Sequence, residues 1–297
     1  RGPGGPATSP FTGRVMLPIH KLIWHEWRAQ GVPQRVPEPS EAMEDPEQIR
    51  AYVKAYEWGG PTSALQLYHL TQLAGMIRPG DTVLDLACGP GPLLLELAPL
   101  YPDCRFIGAD LSQPMLDVLA ESAAERGLRN VETLCEDIRD LPSLAPGSVD
   151  MVITTSALHH LPDLDCLEQV FQRAQRLLKP DGGLYVFDFG LVRSPQTRAL
   201  LVADVARKAP PVTAVDYKHS LDAAFPVDEV VARVRRAFPR PVTVQSSRFI
   251  DFFYFIRTAD RLVRSARVMN YVQAMRSRCG PAVRMEAGML KHLQRPR

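Results

Sequence analysis

The chain has 297 residues, 45% of them apolar, and its 35 Lys and Arg against 33 Asp and Glu leave a net charge of only +2. That size suits one large α/β domain carrying an insertion or lid and argues against two unrelated catalytic domains. No apolar run approaches a membrane span, no signal-peptide pattern opens the chain, and the five cysteines (88, 104, 135, 166 and 279) lack paired metal-ligand spacing. The expectation is a soluble, cytoplasmic protein with reduced thiols and no metal site.

Residues 1–15 are rich in Gly and Pro and read as a flexible tail or expression scar. From Leu17, the residues Ile19, Leu22, Ile23, Trp24 and Trp27 recur at helical spacing and predict an amphipathic helix. Further helices are expected over about 45–57 and 62–77, joined by Trp58-Gly-Gly-Pro61, whose glycines can hinge. Residues 16–78 together are expected to form a helical lid.

The most informative stretch is Val83-Leu-Asp-Leu-Ala-Cys-Gly-Pro-Gly-Pro92, an apolar strand that carries Asp85 and runs into Gly89 and Gly91 before a Leu-rich helix. Glycines there permit a tight turn and close approach of a ligand to the backbone, and the helix N-terminus adds free N–H groups. A dinucleotide fingerprint needs a small residue three positions after the second glycine, where this chain has Leu94. Asp85 suits a ligand whose nearest end is an ammonium group and offers nothing to a pyrophosphate. A zwitterionic amino-acid cofactor therefore fits better than NAD.

Arg105 to Asp110 reads as a second strand ending in an acid 19 residues beyond Gly91, the interval that suits a ribose diol. Ser112 and Pro114 open the next helix as N-cap and first-turn residue. A third strand, Val131 to Cys135, runs into Glu136-Asp137-Ile138, and a fourth, Val149 to Ser156, into Ala-Leu-His159-His160-Leu-Pro-Asp163. A helix over 164–178 stops at Lys179-Pro-Asp-Gly-Gly183, and Leu184 to Asp188 is the fifth strand. A cap is expected over about 191–226, with a helix over 196–208, a break at Pro210-Pro211 and a segment through Tyr217, His219 and Phe225. A helix over 227–238 and strands near 242–246 and 249–256 complete a core spanning 79–258.

From Arg257 the tail holds ten Lys or Arg against Asp260 and Glu286. Its arginines interleave with Leu262, Val263, Val268, Met269, Val272 and Met275, the pattern of an amphipathic helix with a solvated basic face, so residues 259–297 read as a packed extension in preference to a nucleic-acid arm. The tail is also a candidate contact for a homodimer or an acidic substrate.

The series of motifs across residues 80–190 resembles the class I S-adenosylmethionine-dependent methyltransferases. The resemblance implies an α/β, Rossmann-like, doubly wound, seven-stranded and mostly parallel sheet with its last strand antiparallel. It places S-adenosylmethionine against Asp85, Ala87, Gly89, Gly91, Asp110, Leu111, Met115, Asp137, Ile138 and Thr154, with Asp110 on the ribose and Asp137 and Ile138 on the adenine. It implies His159 and His160 as candidate general bases in the loop facing sulfonium and substrate, and Tyr52, Tyr56, Trp58 and Asp188 as pocket residues.

The fourth-strand loop Thr154-Thr-Ser-Ala157 lacks the Asn/Asp-Pro-Pro-Tyr type sequence of many enzymes that methylate amines of nucleic acids and proteins, which with the lid and cap favours an enclosed pocket for a small metabolite; the expected reaction is its O-methylation, with N- and C-methylation the next alternatives. The competing readings are an RNA- or protein-modifying methyltransferase using the basic tail and a non-catalytic cofactor-binding subunit.

Overall fold

At the centre of the molecule lies β1 (Thr82–Leu86), whose residues alternate between two apolar layers, Val83 to one and Leu84 and Leu86 to the other. A computed structural model describes residues 18–292 and 294–297; the tail expected at 1–15 lies outside the described residues. The chain runs outward through β2 (Arg105–Asp110) to β3 (Val131–Cys135), then returns to the other side of β1 for β4 (Val149–Thr155) and β5 (Leu178–Phe189). These five strands are parallel, in a register that sets Leu84 beside Ile107 and Val152. The point where the winding reverses, between β1 and β4, opens a crevice at their carboxyl ends, where doubly wound sheets bind ligands.

The sheet continues with β7 (Phe253–Arg257), antiparallel to β5, and β6 (Thr243–Ser247), antiparallel to β7. The expected count of seven strands is corrected to eight: β8 (Gln294–Pro296) pairs antiparallel with the edge of β6 and covers its backbone groups. The strand expected from residue 249 begins only at Phe253. Before it, Ser247 Oγ accepts the N–H groups of Phe252 (3.0 Å) and Phe253 (3.2 Å) and donates to the carbonyl of Ile250, which holds a tight turn. The helix expected over 164–178 ends at Leu177, and the stretch after it already belongs to β5, with a bulge between the pairs Val149 to Leu178 and Met151 to Gly183.

Helices pack on both faces: α3 (Ser63–Leu73), α4 (Pro92–Leu97), α5 (Gln113–Glu125), α10 (Ala266–Arg278) and α11 (Pro281–His292) on one, α6 (Leu164–Leu177) and α9 (Val227–Ala237) on the other. The tail is thus integral to the core, since Val268, Val272, Met275, Cys279, Val283 and Ala287 are buried in the layer that contains α3. Arg261 and Asp81, both buried, form an ion pair at 2.6 Å that anchors the start of this extension.

The expected N-terminal lid separates into parts with different duties. Helix α1 (Ile19–Arg28) packs on α7 (Pro195–Ala206) of the cap, where buried Glu26 accepts the N–H groups of Arg193 (3.0 Å) and Ser194 (2.8 Å); it does not line the crevice. Helix α3 belongs to the core. Only α2 (Pro46–Ala55), N-capped by Asp45, and the strap of residues 29–45 before it reach the crevice, with α2 also touching α8 (Pro211–Ala223) of the cap. Among the described residues, no helix is long and apolar enough to cross a membrane.

Candidate active site

The tip of β1 must turn sharply into α4, and it does so with left-handed backbone at Ala87 (φ 52°), Gly89 (φ 55°) and Gly91 (φ 64°). Ala87 carries a side chain in a region that favours glycine, and the tip of β4 repeats this at Ser156 (φ 54°). Both residues line one cleft, together with Tyr52, Gly89, Asp110, Leu111, Met115, Asp137, Ile138 and His160.

The two glycines have different tasks. A Cβ on Gly89 would meet Tyr52 and Met115 only at 3.9 and 4.0 Å, across the cleft, so this is the backbone a ligand can approach. A Cβ on Gly91 would collide with Leu119 of α5. Gly91 therefore permits close packing of the loop on α5, and it is not among the residues that line the cleft.

Asp110 ties the cleft together: its Oδ2 accepts the Gly89 N–H and its Oδ1 the Ser112 N–H, each at 2.8 Å. Each oxygen keeps a lone pair for a hydroxyl donor. Burial pushes its carboxyl up, and Asp85, buried beneath the loop, is pushed well above the usual carboxylate range by burial and then by the charge of Asp110. Two neighbouring buried carboxyl groups favour a cationic ligand. Asp137 lines the far end. Burial acts to raise its carboxyl, but Arg139 (Nη2 at 2.6 Å) outweighs this and holds it below the ordinary range. Arg139 also pairs with Glu41 of the strap at 3.1 Å.

The strap is fastened elsewhere by Arg35, whose guanidinium lies over the Phe225 ring and donates to four carbonyls, those of His159 (2.8 Å), Leu161 (2.5 Å), Pro162 (2.5 Å) and Ala223 (2.6 Å). One side chain thus joins the strap, the loop after β4 and the end of α8.

In that loop the short helical turn Leu158–His160 sets the two imidazoles 4.5 Å apart. His159 is buried, its Nδ1 2.7 Å from Asp188 Oδ1 and its backbone N–H 3.0 Å from Asp188 Oδ2. Burial works against protonation of His159, but the Asp188 carboxylate outweighs it and the pKa is raised. His160 is held down to about 3, by burial and then by His159. Tyr52 and Tyr56 stack with their ring centroids 4.8 Å apart.

Two further expected site residues stand apart from the cleft. Thr154 is buried within β4, its hydroxyl without a partner among the described residues, and it does not line the cleft; Ser156 and Ala157 do. Trp58 donates Nε1 to Glu96 Oε2 at 3.1 Å and packs on the α3 layer, away from the cleft. Sequence reasoning missed Arg35 and Glu38, which stand in a Pro-rich segment without periodicity, and Asp216, which only the packing of α8 brings near His159.

Residues 83–182 match the family model described as a methyltransferase domain. The nocamycin O-methyltransferase of Saccharothrix syringae is 39% identical over 106 residues, 35% of this chain and 36% of that protein. The 27-O-demethylrifamycin SV methyltransferase of Amycolatopsis mediterranei is 30% identical over 177 residues, 59% of this chain and 60% of that protein. The chain thus spans between about a third and three fifths of these curated relatives. In fold it resembles a SAM-dependent methyltransferase from Aquifex aeolicus, with a TM-score of 0.51 at 20% identity, covering 72% of this chain and 98% of that one.

Residues 83–182 thus carry a methyltransferase domain, set in a Rossmann-like α/β fold shared with that neighbour. S-adenosylmethionine is the cofactor of such domains, and the cleft offers an approachable Gly89, the carboxyl group of Asp110 and the apolar walls Met115 and Ile138, with Asp85 buried close enough to feel the charge of Asp110.

Proposed function

We propose that this protein methylates a hydroxyl group of a small molecule, with His159 as the general base. The observation that carries this reading is the buried His159 and Asp188 pair standing one ring away from the cofactor cleft, since His160, its ring centroid 4.5 Å from that of His159, lines that cleft. S-adenosylmethionine, when bound, supplies a methyl group activated by its sulfonium. Asp85 and Asp110 would hold the amino-acid and ribose portions, and Asp137 and Ile138 the adenine.

What remains for the chain is to orient the acceptor, exclude water and take one proton. Asp188 accepts the proton on Nδ1 of His159, which leaves Nε2 with a lone pair for the acceptor hydroxyl. The strap, latched by Arg35, and α8 close over this position. The O-methyltransferase names of the relatives and the enclosing strap and cap support a small acceptor over a polymer, and the burial of α10 and α11 in the core supports a structural duty for the basic tail.

The test is incubation with methyl-labelled S-adenosylmethionine and a cell extract separated into small-molecule, protein and RNA fractions. Alkali-stable label in the small-molecule fraction, on oxygen by mass fragmentation, is expected; label confined to RNA or protein contradicts the proposal.

A further inference from the structure

A second group of donor atoms converges between the strap, the turn that bears the two histidines and the cap. Glu38, His159 and His160 each present one ligand atom, and the three lie within 4.8 Å of one another. Nδ1 of His159 is engaged by Asp188, so Nε2 is the ring nitrogen left free. His160 Nδ1 and Glu38 Oε1 are both buried without a hydrogen-bond partner among the described residues. The Asp188 and Asp216 carboxylates add negative charge nearby; His219 and the Arg35 guanidinium, already committed to four carbonyls, are the basic groups close by. Buried polar atoms left unpaired are costly, and a cation bound between them would satisfy both.

We propose that Glu38, His159 and His160 form a three-ligand site for a divalent cation of the zinc class, with a fourth position open. Two imidazoles and one carboxylate are a donor set that zinc takes in open sites, and Asp188 behind His159 is the carboxylate support that fixes a ligating ring. The inference rests on the proposed reaction in one respect: Nε2 of His159 cannot hold a cation and accept a proton together. Occupancy of the site therefore switches the base off.

The full chain, freed of metal with a chelator, is titrated with Co²⁺ and then Zn²⁺, followed by absorbance and calorimetry. One cation per chain is expected, with a cobalt spectrum of nitrogen and oxygen donors. Affinity falls roughly tenfold or more in Glu38→Gln and in His160→Asn, and by about 10- to 100-fold in Asp188→Asn. Cys135→Ser and Cys166→Ser bind as the unaltered chain does. A thiolate charge-transfer band, or affinity unchanged in both Glu38→Gln and His160→Asn, overturns the site; the cobalt spectrum of the unaltered chain decides even where a variant fails to fold.

Activity separates the two readings. Inhibition by Zn²⁺ that a chelator reverses is the expected result. Transfer that requires Zn²⁺ keeps the site and overturns the base role of His159, whereas transfer that depends on His159 in a chain that binds no cation overturns the site and leaves the reaction standing.

Discussion

Asp188 holds His159 at two points, through the ring nitrogen at 2.7 Å and through the backbone N–H at 3.0 Å, so one carboxylate fixes both the tautomer of the base and the path of the loop that carries it. Asp188→Asn keeps the shape but offers the ring an amide in place of a carboxylate. Methyl transfer should fall on the order of 10²- to 10⁴-fold in kcat while the cofactor Kd stays within a few-fold. Steady-state kinetics beside a calorimetric titration check this, and a loss confined to KM for the acceptor would point to a binding duty instead.

Asp110→Ala removes the acceptor that holds the Gly89 N–H as well as the expected ribose contact. Cofactor affinity should drop by about 1–3 kcal/mol, with the fold retained, because a donor is left without its partner. Calorimetry on a variant with an unchanged far-ultraviolet spectrum measures this directly.

Gly91→Ala should destabilise the protein by about 1–3 kcal/mol, since the new methyl group meets Leu119 in a well-packed layer and the backbone is left-handed. Leu119→Ala added to Gly91→Ala should return part of that loss, so the two changes are coupled in a double-mutant cycle of denaturant unfolding. Additive effects would place Gly91 against the ligand, as its position in the sequence motif first implies.

Asp85 should report on cofactor binding through a proton. Its carboxyl is raised well above the usual range in the free protein, by burial and then by Asp110, and an ammonium group beside it favours the ionised form. Binding then lowers this pKa and releases a proton, so affinity rises with pH up to the free-protein pKa and flattens above it. Calorimetry in buffers of differing ionisation enthalpy should show release below that pKa; uptake there would contradict the assignment.

His69, buried and 2.6 Å from the Tyr185 hydroxyl, is lowered to about 3 from 6.5 by burial. The unfolded chain therefore binds a proton that the folded chain refuses. This contribution to stability is fully present above pH 6.5 and declines by about 1.4 kcal/mol per pH unit as pH falls toward 3. The difference between the unaltered chain and His69→Gln in unfolding free energy should carry that slope below pH 6.5 and be flat above it.

Most of the fold is legible in the sequence because its strands are short apolar runs that end in turn residues, so β1 to β5 and their order follow from Asp85, Asp110, Asp137 and the His159 loop in series. The eighth strand was not legible: Gln294 to Pro296 has no strand pattern and pairs only because β6 presents a free edge. The cleft lining was legible where local motif and position coincide, as at Gly89, and not where a tertiary neighbour decides a residue's surroundings, as at Gly91 with Leu119 and Trp58 with Glu96. The strap was the least readable part. Arg35 and Glu38 act through partners more than 120 residues away, and no periodicity or spacing announces such contacts.

The central claim is that the His159 and Asp188 pair serves methyl transfer to a small acceptor from a cofactor held in the adjacent cleft. The most direct measurement is transfer of labelled methyl into the small-molecule fraction by the unaltered chain and by His159→Gln, with cofactor affinity measured in parallel. The account predicts label in small molecules that is lost in His159→Gln while cofactor affinity is kept within a few-fold. Equal transfer by both proteins would contradict it.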